Sequence, residues 1–147
     1  MFKIATPVSH LFENIENANL IIKHSDCLEC RDHSVDVTFD KQELFHCDLQ
    51  LIHELSDKQF LYLRNIKKTK PDIKLISFHA ASCYDKPLLV NHIFQPGGKK
   101  HTVEEMYNAA KKNIKEIRNI FGNEILNFDL TYTGSIMGSR CQIYHRS

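Results

Sequence analysis

"IKLISFHA", Ile73 to Ala80, is the stretch on which the fold turns. It is nearly continuously apolar, as a strand covered on both sides within a parallel sheet should be. Side chains alternate along a strand, so Ser77 and His79 share one face. His79 ends the run. An imidazole in that position looks into the mouth of a parallel sheet, beside the loop that carries Cys83, Tyr84 and Asp85. A satisfied core histidine is the plainer reading of the same residue.

Working outward, the flanks alternate between helix and strand. Upstream, Ser56 and Gln59 match a capping box, Phe60, Leu63 and Ile66 form an apolar stripe, and Pro71 closes the segment. Its basic end, "RNIKKTKPDIK", reads as solvated. Downstream, "SCYDKPLLVNHIFQPGGKK" reads as a long loop. Thr102 and Glu105 then open a helix whose inner face is marked by Val103, Met106, Ala110, Ile114, Ile117 and Phe121, with Gly122 as its stop. "EILNFDL" follows as a strand. Nearer the start, "FKIA" (Phe2 to Ala5) reads as a strand, Asn14 to His24 as a helix, and "CLEC" as a strand. "FDKQELFHCDLQLIHEL" fits a helix or a strand pair equally well. This order predicts an α/β fold of parallel βαβ units, with roughly four strands and three or more helices.

The chain has 147 residues, enough for one core, and 19 basic against 18 acidic side chains. That near-neutral balance argues against a nucleic-acid footprint. No stretch approaches the roughly 20 apolar residues of a membrane span, and no secretory leader is evident. Five cysteines without a framework pattern suit reduced thiols, and the expected location is cytoplasmic.

"HSDCLECRDH" spaces His24, Cys27, Cys30 and His33 evenly, which raises a zinc site. If "CLEC" is extended, however, Cys27 and Cys30 point to opposite faces and cannot share one ion. The extended form places Cys27, Glu29 and Arg31 on one face, with Glu29 and Arg31 nearing the carboxyl end of the strand. They are candidate catalytic residues, or a plain ion pair. His79 is the candidate metal ligand. His46 and His53, seven apart, are too distant for ligation from adjacent helical turns. His92 and His101 sit in the Pro/Gly-rich loop, where they would contact substrate or solvent, and Cys83 lacks a placed partner for nucleophilic work.

"FKIATP", "LECRD" and "SFHAASCYD" together resemble the xylose-isomerase-like TIM barrels, which include endonuclease IV and sugar-phosphate isomerase/epimerase type proteins. The resemblance covers about residues 1–126. It implies a divalent metal (Zn, Mn or Mg) held partly by His79, barrel-mouth roles for Glu29 and Arg31, and a small sugar or phosphosugar as substrate. Such barrels have eight strands over roughly 250 residues, whereas this chain has room for half of one. The family's later carboxylate and histidine ligands have no counterpart, and residues 127–147 read as an irregular tail that does not continue the pattern. The expectation is therefore a partial barrel, truncated near its midpoint and incomplete as a catalyst. Alternatively it is a non-catalytic assembly or binding module, which could form a homodimer through exposed sheet edges.

Overall fold

The computed structural model describes residues 3–91 and 93–122. The strand predicted from "IKLISFHA" is present as β4 (Leu75–His79). It is the last of four parallel strands, following β1 (Ala5–Pro7), β2 (Cys27–Arg31) and β3 (Gln42–Gln50), and spatial order equals chain order. Helix α1 (Ile15–His24) links β1 to β2 and α2 (Asp57–Thr69) links β3 to β4. Between β2 and β3 the chain uses only a 3-10 turn, Asp32–Ser34, and a loop. After β4 come a hairpin, β5 (Leu88–Val90) and β6 (Ile93–Gln95), and helix α3 (Val103–Phe121). The fold is thus α/β, built of parallel βαβ units, with about half the strand number of a TIM barrel.

The helices start where the capping chemistry dictates. Asn14 Oδ1 accepts from the amides of Glu16 and Asn17, and Ser56 and Thr102 form reciprocal capping boxes with Gln59 and Glu105. Gly122 ends α3 at φ 94°, a backbone region that side chains disfavour.

All three helices cover the same face of the sheet. Leu28, Cys30, Phe45, Cys47, Ile76 and Phe78 project from β2, β3 and β4 into one cluster with Ala18, Leu63, Ile66, Ile117 and Phe121 from the helices. The opposite face carries the register partners Arg31, His46 and Ser77, none of them fully buried. Burial of one face therefore leaves a polar face running to the carboxyl ends of the strands.

Several sequence expectations are corrected. The first strand is Ala5–Pro7 rather than Phe2–Ala5; Pro7 is tolerated because β1 lies at the sheet edge. The ambiguous stretch around Phe45 is the nine-residue strand β3. The long loop contains the β5–β6 hairpin. Helix α3 turns Ala109 and Asn113 inward and leaves Val103 exposed, because Asn113 Nδ2 donates to the carbonyls of Leu51 and His53. Lys70 is not solvated: it is fully buried, with Nζ donating to Val37 O and Gln42 Oε1. The predicted strand "EILNFDL", the boundary near residue 126 and His92 lie outside the described residues.

Candidate metal centre

Strand β3 supplies what the sequence reading lacked. His46 stands in register with Ser77, so the imidazole of β3 lies beside the polar face of β4. His46 Nε2 is 3.0 Å from His79 Nε2, and His46 Nδ1 is 2.9 Å from Ser77 Oγ. The two rings meet edge to face, 4.6 Å apart at 83°. Asp48, two residues beyond His46, brings Oδ1 to 3.4 Å from His79 Nε2. One donor atom from each of His46, Asp48 and His79 lies within 4.8 Å of the others. These three could hold a metal ion.

The surroundings suit that role. Burial, then the neighbouring His79, holds the His46 proton affinity below the usual histidine value, which keeps a lone pair available. The hydrogen bond between the second ring nitrogen and Ser77 Oγ orients the His46 ring, as outer partners of ligating histidines do. Asp48 is mostly exposed, at 74 %, and the His79 side chain is 25 % exposed. Three protein donors on a solvent-facing surface leave coordination positions open, as catalytic metal sites do.

A local irregularity presents Asp48. Pairing between β3 and β4 slips after Cys47, so that Gln50 rather than Asp48 faces His79 in register. Strand β2 has already ended at Arg31. The Asp32 carboxylate takes over there: Oδ2 accepts the Asp48 amide at 2.7 Å, and Oδ1 accepts the hydroxyl of Tyr62 from α2. Burial, reinforced by Asp32, pushes the Tyr62 hydroxyl above the usual tyrosine range, so it remains a donor.

Glu29 and Arg31 sit at the end of β2, on the face that carries His46. Arg31 Nε and Nη2 both donate to Glu29 Oε1, at 3.1 and 2.9 Å. Their charges act on His46 in opposite senses, Glu29 raising and Arg31 lowering its proton affinity. They border the histidine pair and do not ligate with it in the three-residue cluster.

The even His24–Cys27–Cys30–His33 spacing forms no site. Cys27 to Arg31 is extended, Cys30 Sγ lies near Gln42 Oε1, and His33 Nε2 near Val8 O. Cys27, Cys30, Cys47 and Cys83 are free thiols. Helical spacing does not govern His46, because β3 is a strand, where the residue that matters is the one across the ladder. His46 and Asp48, two apart beside His79 at a strand end, were the available signal. Among the described residues no helix is long and apolar enough to cross a membrane. No family model, curated protein or solved structure matches the chain.

Proposed function

We propose that this chain is a divalent-metal domain of the xylose-isomerase-like type, with His46, His79 and Asp48 as the ligands and a small sugar or phosphosugar as its target. The convergence of three donors on the open polar face, at the carboxyl ends of parallel strands, supports this reading most directly. Two imidazoles and one carboxylate suit Zn²⁺ or Mn²⁺ better than Mg²⁺, which favours an all-oxygen shell. A bound ion would polarise a sugar carbonyl or hydroxyl, or lower the pKa of a water. The chain's own contributions are then separate. Ser77 holds the His46 ring, Asp32 holds the Asp48 backbone, and Arg31 offers a cation to an anionic substituent while its pairing orients Glu29.

The test is a zinc titration of metal-stripped protein beside His79→Ala. The variant should lose one equivalent of bound metal, and with it any turnover of sugar phosphates by isomerisation or phosphoester hydrolysis. Unchanged stoichiometry and affinity in His79→Ala would remove the proposal. The doubly bonded Glu29–Arg31 pair favours a second reading, because a base and a cation that satisfy each other are less free to act on substrate. On that reading the domain binds metal and sugar without chemistry, and the signature is ligand-dependent stabilisation of the metal-loaded protein with no turnover.

A further inference from the structure

A second group of histidines lies at the same rim, separate from the first. His53, just past the end of β3, is 7 % exposed. Its Nε2 is 2.8 Å from the carbonyl oxygen of Ser82. A carbonyl only accepts, so Nε2 carries the ring proton and Nδ1 keeps a bare lone pair in the neutral ring. Nδ1 is buried and has no hydrogen-bond partner. His101 packs against it, ring centroids 4.9 Å apart, and its buried Nε2 is likewise without a partner. Among the described residues these are the two buried side-chain nitrogen or oxygen atoms found unpartnered. Such atoms are costly to leave unsatisfied, and two on facing rings point to a shared occupant.

A carboxylate stands beside them. Asp85 Oδ2 is 3.7 Å from His101 Nε2, while Asp85 Oδ1 accepts the Lys99 amide at 2.8 Å. The excursion between β4 and α3 delivers both residues. Its two limbs are joined by bonds from the Asp85 amide to Lys99 O and from the His101 amide to Cys83 O. Gly98, at φ 76°, lets the limbs close, since a Cβ there would collide with the Asp85 carboxylate. On its other side His101 Nδ1 has Glu105 Oε2 at 3.9 Å. His53 thus has an acceptor at one nitrogen and a buried lone pair at the other, the pattern of metal-ligating histidines, while His101 has a carboxylate beyond hydrogen-bond distance on each side.

We propose that His53 Nδ1, His101 Nε2 and Asp85 Oδ2 form a second metal site, for an imidazole-preferring ion of the zinc class. The three donors do not converge within 4.8 Å as the first set does. Binding therefore draws the loop-borne pair toward the fixed His53 ring. The ion would staple the β4–α3 excursion onto the turn after β3, which Asn113 already anchors through the carbonyls of Leu51 and His53. This site does not depend on the His46–Asp48–His79 reading.

The experiment titrates Zn²⁺ into metal-stripped full chain and into His79→Ala, Asp85→Asn, His101→Gln and His79→Ala/His101→Gln variants. Native mass spectrometry counts the bound ions, and tryptic cleavage at Lys99 and Lys100 is followed alongside. His101 and Asp85 are partly exposed, so their variants should fold even where a change at His53 would not. His79→Ala should retain one equivalent, and adding His101→Gln should remove it. Zinc should slow cleavage of the excursion about tenfold in His79→Ala, since protease reads the open population, and should not slow it in Asp85→Asn. Two results overturn the proposal: His79→Ala that binds no zinc, or binding and protection indifferent to both His101→Gln and Asp85→Asn. A single equivalent lost with His101→Gln but kept in His79→Ala would support this site and defeat the first.

Discussion

Asp32 is the residue whose removal most cleanly separates holding the fold from presenting a ligand. It accepts from the Asp48 amide, from the Tyr62 hydroxyl and, weakly, from the Cys47 thiol at 3.9 Å, and touches no donor atom of the His46–Asp48–His79 set. The Tyr62 bond is partly buried and charge-assisted, a class worth about 1.5–3 kcal/mol. The Asp48 bond is exposed and contributes about 1 kcal/mol. Asp32→Ala should therefore cost about 2.5–4 kcal/mol in urea unfolding of the metal-free protein, and Asp32→Asn, which keeps one acceptor oxygen, about half as much. Outer partners of metal ligands typically govern affinity by about 10–100-fold, so zinc binding at the His79-dependent site should weaken by that factor in Asp32→Ala. Tyr62→Phe is the control. It should lose stability by about 1–2 kcal/mol and retain most of the affinity, because the Asp48 amide keeps its acceptor. Isothermal competition titration in a His101→Gln background isolates the site. If Asp32→Ala is destabilised but binds zinc within about twofold of its parent, Asp32 braces the sheet and does not position Asp48.

Further outcomes follow from other local features. Lys99 and the Thr102 cap draw the Glu105 carboxyl from its ordinary 4.5 down to about 2. A depressed carboxylate stabilises above its unfolded value, and that contribution is lost as pH falls through the folded one; denaturation at pH values between roughly 4.5 and 2 should show a steeper pH dependence in wild type than in Glu105→Gln. Burial raises the thiols of Cys27, Cys30 and Cys47, whereas Cys83 is only half-buried, so a thiol reagent followed by peptide mapping should label Cys83 ahead of those three. Lys70→Met should keep most of the stability that Lys70→Ala loses, about 2–4 kcal/mol, because the fully buried stem fills core volume while Gln42 Oε1 retains the Phe39 amide. Equal losses for the two would place the stabilisation in the ammonium bonds instead.

What could be read from residues alone was the part governed by local rules. The apolar run ending in Ser77 and His79, the caps at Ser56 and Thr102, and the extended form of "CLEC" each follow from short-range chemistry, and each is present. What escaped was governed by pairing across the sheet. The stretch around Phe45 has helical and alternating patterns superposed, because one face of β3 carries core residues while the other carries His46 and Asp48. Only the register His46↔Ser77 reveals that His46 lies beside the end of β4. The burial of Asn113 and Lys70 was hidden for the same reason: their partners, the carbonyls of Leu51 and His53 for one and of Val37 for the other, are distant in sequence.

The two ends of the sheet differ in a way that stability alone does not explain. At the amino ends of the strands, Glu43 is paired with both Lys3 and Lys74, each at 2.9 Å, and these opposite charges satisfy one another. At the carboxyl ends, two imidazoles face each other at 3.0 Å, and a second pair buries two nitrogens without partners. Burial and neighbouring rings hold both His46 and His53 below the usual histidine value, so each opposes the folded state as pH falls. Local conflict of this kind, concentrated at one rim while the other is electrostatically complementary, is the pattern of sites shaped by binding rather than by folding. A metal ion bound there would resolve the conflict at His46 and His79, because two lone pairs that must otherwise share a proton could both be used by one cation. The same reasoning applies to His53 and His101, which is why the number of zinc ions bound, and their dependence on His79 and His101 separately, carries more information about this protein than any single activity assay.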